Sequence, residues 1–135
     1  MKVEGQCHCG QIGYAAEVDP AKVTLCHCVD CQILSGGPYI ATVAANPGTF
    51  KVLYGDVHHY VKTAESGRKR LHGLCTVCGT RLYAASSDEP RAYSLRTGPL
   101  KQRNELKPSR RIWCDSAQPW SENLAGIDKV AKQPG

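Results

Sequence analysis

Eight cysteines stand at positions 7, 9, 26, 28, 31, 75, 78 and 114, and seven of them fall into three tight groups: Cys7-x-Cys9, Cys26-x-Cys28-x-x-Cys31 and Cys75-x-x-Cys78-Gly79. Close pairs of this kind are what a tetrahedral zinc ion requires, because a C-x-x-C turn lets two thiolates converge on one ion at about 2.3 Å. Gly79 suits a knuckle whose backbone must pass through positive φ. A C-x-C on an extended strand puts residues i and i+2 on one face, so both sulfurs reach the same metal. Disulfides and an iron–sulfur cluster are the competing uses of such thiols. Cysteines at C-x-C spacing make poor disulfide partners for one another, and the opening residues Met1 to Cys9 contain no apolar run of the kind that directs export. The expected compartment is therefore the reducing cytoplasm, and the expected use of the thiols is zinc.

Seven clustered cysteines do not make two complete four-sulfur sites. Pairs far apart in sequence commonly join to close one structural site, and Cys7, Cys9, Cys75 and Cys78 fit that role. Cys26, Cys28 and Cys31 are then left as three ligands with an open fourth position, the pattern of a reactive zinc. Two zinc ions per chain are expected on this partition. Cys114 competes for the fourth position, although it reads more readily as a buried free thiol packing as a small hydrophobe. His72, three residues before Cys75, is the best histidine alternative. His8 and His27 lie between ligand cysteines and, on extended strands, face away from the metal. Only one of the adjacent His58 and His59 can face any given site. Asp30 reads as a solvated acid in the loop of the middle cluster.

The elements that must carry these residues are short. Ile12, Tyr14, Ala16 and Val18 alternate with less apolar positions and predict a half-buried strand that Asp19-Pro20 ends. Further strands are expected at residues 22–25, at 38–45, along the alternation of Phe50, Val52 and Tyr54, at 82–85 and at 92–97. Residues 57–63 and 69–74 pair as a hairpin around Glu65-Ser66-Gly67. Little helix is expected; the best candidate is residues 121–130, capped by Ser121 and weakened by Gly126. The reading is an all-β fold, sandwich-like or barrel-like, of short antiparallel strands with zinc knuckles. Residues 1–130 form one domain, and residues 131–135 a frayed tail.

Composition agrees with a fold that leans on metal. Of 135 residues only 41% are hydrophobic and 7% aromatic, with one Phe and one Met, so large core side chains are scarce. No apolar run is long enough to cross a membrane as a helix. Charge is lopsided: residues 1–67 carry 4 Lys+Arg against 6 Asp+Glu, and residues 68–135 carry 13 against 6. A basic half attracts a small anionic substrate or nucleic acid. Arg68-Lys69-Arg70 is too short, and too poor in interleaved aromatics, to argue for nucleic acid as the partner.

The order Cys7-His8-Cys9-Gly10, then Cys26-His27-Cys28-Val29-Asp30-Cys31, then Cys75-Thr76-Val77-Cys78-Gly79 resembles the family of glutathione-dependent formaldehyde-activating enzymes and centromere protein V. The stretch from Ile112-Trp113-Cys114 to Gln118-Pro119-Trp120 is also similar to the family's C-terminal segment. The chain departs from the family in having Leu74 before the last pair, where Phe is frequent, and Gln32 after the middle group, where Arg or Lys is frequent. The resemblance implies an Mss-four-like fold. It also implies a structural zinc on Cys7, Cys9, Cys75 and Cys78 and a catalytic zinc on Cys26, Cys28 and Cys31.

Three thiolates outweigh a divalent ion, so such a zinc is a weak Lewis acid suited to holding an incoming thiol as thiolate. The resemblance implies a carbon–sulfur lyase of the S-(hydroxymethyl)glutathione synthase type, with a glutathione-like thiol and an aldehyde such as formaldehyde as substrates. Exposed amides in Ser35-Gly36-Gly37 are candidates to receive a substrate carboxylate, with an ordinary turn as the alternative. The competing class is a non-catalytic zinc module that binds nucleic acid or a protein through the basic half.

Overall fold

The computed structural model describes residues 1–134; of the expected tail, Gly135 lies outside the described residues. One long strand organises the rest. β2 (Gly13–Cys26) follows β1 (Lys2–Gln6) and runs through fourteen residues. Its first half is buried at Tyr14, Ala16 and Val18, as the alternation predicts. Asp19-Pro20 does not end it. The register instead slips, with Val18 opposite Ala45 and Val23 opposite Val43, so the residues between them bulge out of the ladder. A bulge leaves backbone donors unpaired, which is where a proline is tolerated.

β2 serves two layers. Its first half pairs antiparallel with β1 and with β4 (Lys51–Tyr54). Its second half pairs antiparallel with β3 (Ile40–Ala45) and parallel with β9 (Arg110–Ile112). From β3 the sheet continues through β8 (Tyr93–Arg96), β7 (Arg81–Ser86), β6 (Lys69–Leu74) and β5 (His58–Thr63). β5 and β6 form the expected hairpin, with His58 opposite Leu74 and Thr63 opposite Lys69. Apart from the β2–β9 pair, the ladders are antiparallel, so the fold is all-β with little helix, as expected. No helix among the described residues is long and apolar enough to cross a membrane.

The core lies between the layers. Val3, Ile12, Tyr14, Val18, Val23, Val43, Leu82, Leu95 and Leu100 are its nearly inaccessible members. Phe50 packs against it and stacks on Tyr93 with ring centroids 4.1 Å apart. β4 itself stays exposed along its whole length, so the alternation of Val52 and Tyr54 marks a strand but not a buried face.

Helix sits elsewhere than expected. α1 (Val29–Ser35) occupies the stretch read as the loop of the middle cysteine group. Cys28 caps it: its Sγ accepts from the Cys31 amide at 3.2 Å, satisfying one of the free N–H groups of the first turn. Gly36 ends it at φ 73°, a conformation that L side chains resist. Residues 121–130 do not form a helix; a 3₁₀ turn at Pro119–Glu122 gives way to irregular chain. Leu124, Ile127 and Val130 have helical spacing but are each more than half exposed, so no packed face stabilises a helix there.

Candidate metal centres

Two knuckles make the first centre. Cys7 follows the last residue of β1, and the chain turns at once: the Gly10 amide donates to the Cys7 carbonyl at 3.1 Å, and the Cys7 amide to the Ile12 carbonyl at 3.1 Å. Cys7-x-Cys9 is therefore a turn and not the strand expected for it. Cys75 follows β6 and repeats the device: the Gly79 amide donates to the Cys75 carbonyl at 2.8 Å, and the Cys75 amide to the Thr80 carbonyl at 3.0 Å. Gly79 has φ 77°, as a knuckle requires. The His8 amide donates to the Thr80 hydroxyl at 3.0 Å and joins one knuckle to the other.

This brings Cys7, Cys9, Cys75 and Cys78 together, with all four sulfurs within 4.8 Å of one another. The Cys7–Cys9 and Cys9–Cys75 sulfurs are 3.6 and 3.8 Å apart. Bonds of about 2.3 Å to a tetrahedral ion imply sulfur–sulfur edges of about 3.8 Å, so the donor set has the dimensions of a metal cage. Its electrostatics agree. The Thr80 hydroxyl and amide hold the Cys78 thiol down at about 5. At Cys9 the Gln11 amide lowers the thiol pKa, but burial and the Cys7, Cys78 and Cys75 sulfurs carry it up to about 11. Four sulfurs this close resist shared ionisation unless a cation sits among them.

The second group is Cys26, Cys28 and Cys31, whose sulfurs also lie within 4.8 Å of one another; no fourth cysteine, histidine or carboxylate joins them among the described residues. Cys26 is the last residue of β2 and stands opposite Ile40 on β3 and Ile112 on β9. Cys28 caps α1 and Cys31 lies in its first turn. Burial raises the Cys31 thiol, with the Cys28 and Cys26 sulfurs adding to the effect. Burial also acts to raise Cys28, but hydrogen bonds from Cys31 and Cys26 and the charge of Lys62 bring it below the ordinary thiol range. The three sulfurs fit one soft cation and leave a tetrahedron one ligand short. Both groups could hold metal ions.

The other candidates are placed clearly. Cys114 is exposed in a 3₁₀ turn and belongs to neither sulfur group, so it is not the buried thiol expected. His72 is buried on β6, outside both groups; burial and then the charges of Arg96 and Arg81 hold its pKa down to about 4. His27 is buried too: its Nε2 accepts from Arg111 Nε at 3.1 Å and its ring meets Tyr39 edge-on. His59 contacts the Tyr83 hydroxyl at 2.7 Å, while His58 is exposed. Asp30 is exposed to solvent, as expected, but it sits in the first turn of α1 and not in a loop, and it forms an ion pair with Lys62. The amides after α1 are already used. Gly36 donates to the Gln32 carbonyl at 2.9 Å and Gly37 to the Ser35 hydroxyl at 3.1 Å, so this is an ordinary turn.

Sequence reasoning missed two features near the second group. Gln32, at the position after Cys31, donates to the carbonyls of His27 (2.8 Å) and Ser116 (3.0 Å) and accepts from Gln118 (2.9 Å). It thereby pins the C-terminal segment against α1. Arg96 and Arg81 line a cleft of about 530 Å³ with Leu34, Ser35, Tyr39 and Ile40. Position in the sequence gave no sign of either, because both depend on partners far along the chain.

Residues 2–116 match the family model described as glutathione-dependent formaldehyde-activating enzyme. An uncharacterised lyase of Schizosaccharomyces pombe is 31% identical over 91 residues, which are 67% of this chain and 62% of the relative. The chain thus spans less than two thirds of that relative's length. A crystal structure of a Rhodobacter sphaeroides protein covers 80% of this chain and 98% of its own, with a TM-score of 0.61 at 18% identity, a likeness of fold.

Proposed function

The chain belongs to the glutathione-dependent formaldehyde-activating enzyme family, and from that membership we propose that it is a zinc-dependent carbon–sulfur lyase acting on a small glutathione-like thiol and an aldehyde such as formaldehyde. The observation that carries the reading is the convergence of the Cys26, Cys28 and Cys31 sulfurs with no fourth protein ligand among the described residues. Cys7, Cys9, Cys75 and Cys78 take the structural role in this reading. Bound to the three-sulfur group, zinc would supply a fourth position for the substrate sulfur and favour its thiolate form.

The chain's own groups do the rest. In the synthetic direction the sulfur adds to the carbonyl carbon: an S–C bond forms, the C=O π bond breaks, and the thiol proton ends on the new hydroxyl. Cys26 on a strand end and Cys28 and Cys31 on a capped helix hold three ligands on a rigid frame, which is how a site preserves reacting geometry. Lys62 and Arg96 place positive charge beside the thiolates, which offsets the net negative charge of three thiolates on a divalent ion. The adjoining cleft gives the non-reacting part of the thiol somewhere to lie.

Metal analysis with and without glutathione tests the reading. Two zinc ions per chain are expected, and in cobalt-substituted protein one of the two spectra should shift on addition of glutathione. A protein that carries a single ion, indifferent to thiols, would overturn the proposal.

A further inference from the structure

We infer that Arg111 is a positioning residue for the three-sulfur group, clamping His27, the residue between Cys26 and Cys28, to the C-terminal segment 111–122. This rests on the zinc reading and adds to it the device that keeps the ligands in place.

The ligand stretch has little beneath it. α1 carries Cys28 at its cap and Cys31 in its first turn, and it buries none of its own residues. Its partners lie instead along one distant piece of chain. β9 pairs parallel with the end of β2, with Arg111 opposite Leu25 and Ile112 opposite Cys26. The His27 amide then donates to the Ile112 carbonyl at 3.0 Å. The same piece meets α1 again at Gln32, which bonds to Ser116 and Gln118. Residues 111–118 are thus tied to the three-sulfur stretch at both His27 and Gln32.

Arg111 joins the first of these ties to the end of the segment. His27 is 1% exposed, and its Nε2 accepts from Arg111 Nε at 3.1 Å. The terminal nitrogens of the same guanidinium reach the Glu122 carboxylate, Nη1 donating to Oε2 at 2.9 Å and Nη2 to Oε1. One planar group therefore bridges a buried ring and a carboxylate, a span that the point charge of a lysine does not make. Between the ties the backbone is forced. Trp113 has φ 57°, a conformation that bulky side chains resist. Its side chain is 64% exposed, so burial of that ring does not hold it there. The ties on either side do.

Without the Arg111 donor a buried ring nitrogen loses its partner, and the Cys26–Cys28 stretch loosens. Metal ligands hold an ion tightly only while the groups behind them fix their geometry. The loss should therefore appear at this group and not at the cage of Cys7, Cys9, Cys75 and Cys78.

The test follows the metal at each group separately. Zinc is competed from the protein with the chelator 4-(2-pyridylazo)resorcinol, and cobalt-substituted protein is read by its thiolate and d–d absorption. Cys31→Ser, which keeps the four-sulfur ion, assigns the two sites. In Arg111→Gln the three-sulfur group should bind zinc about tenfold more weakly and show altered cobalt bands, with the four-sulfur ion unchanged. Glu122→Gln should act in the same direction by about threefold, since that ion pair is exposed. The double variant should be no worse than Arg111→Gln, because the two residues serve one clamp. Arg111→Lys should resemble Arg111→Gln. A role by charge alone requires the reverse: loss of the cation and loss of the anion act in opposite directions, and lysine restores native binding. Either result overturns the clamp and leaves the zinc reading standing, as does native binding in Arg111→Gln. Thermal unfolding reports whether each variant folds, and if Arg111→Gln does not, Arg111→Lys and Glu122→Gln decide. A native protein that takes up metal at the four-sulfur group alone overturns the zinc reading and the positioning role with it.

Discussion

Cys75 and Cys31 should respond differently to the same substitution. Cys75 is 2% exposed and sits where β6 meets the first knuckle pair, so its loss opens the cage that ties residues 7–9 to residues 75–78. Binding energy at such a site is folding energy. Cys75→Ser should therefore abolish most of a stability that is about 5–15 kcal/mol for domains of this kind, seen as loss of the cooperative melt by circular dichroism. Cys31→Ser removes a ligand from a half-exposed group on a short helix. It should keep a cooperative melt and lower the metal content from two ions to one. His72 gives a pH prediction. Its folded pKa is about 4 against an ordinary 6.5, so the unfolded chain binds a proton between those values that the folded one refuses. Stability contributed this way is complete above about 6.5 and is lost as the pH falls toward 4. Urea midpoints should drop between pH 7 and pH 5, and His72→Gln should flatten that slope.

Among the elements, α1 shows how little a short helix owes to its own sequence. It has seven residues and no buried member, too short to persist alone. It is held by the Cys28 cap and by Gln32, whose partners at Ser116 and Gln118 are 84 and 86 residues away. Gln32→Ala should release the C-terminal segment, read as faster hydrogen exchange over residues 113–121 and a change in Trp113 and Trp120 fluorescence, with the sheet's protection unchanged. The β1–β2 pair depends on a close approach of another kind. Gly5 lies opposite Tyr14, whose ring is inaccessible in the core, and a Cβ at Gly5 would fall 2.2 Å from the ring's Cζ. Gly5→Ala should cost about 1–3 kcal/mol by overpacking, measured by denaturant unfolding. Residues 121–130 illustrate the converse: the apolar spacing is present, but no surface receives it.

At the scale of the molecule, the positive charge of the second half is dispersed. Arg91, Lys101 and Arg111 pair with Glu89, Glu4 and Glu122, while Arg81 and Arg96 line the internal cleft. Arg103, Lys107, Arg110, Lys129 and Lys132 are strung out along the C-terminal segment, and the single run, Arg68, Lys69 and Arg70, shares a groove with Asp88. Electrostatic binding to DNA scales with the number of phosphates neutralised at once. Titration with duplex DNA at 150 mM salt should therefore detect nothing tighter than the non-specific range of about 10⁻⁴–10⁻⁶ M. A tighter complex would favour a nucleic-acid-binding module.

The features legible in the residues alone are those whose physics is local. Sulfurs two or three residues apart can reach one ion on a turn or on a strand, so the three cysteine groups and their suitability for metal were readable from spacing, while the turn at Cys7–Cys9 was not. Alternation and turn residues likewise marked most strands, from Tyr14 through the β5–β6 hairpin to β8. Tertiary structure decided the rest. It carried β2 past Pro20 through a bulge, made a helix of the Cys31 stretch through partners more than eighty residues away, and buried Arg96 beside thiolates. Burial, long-range pairing and the field of distant charges are sums over neighbours that local periodicity does not specify. The cleft that gives the three-sulfur group its surroundings exists because the folded sheet brings β8, β7 and α1 together.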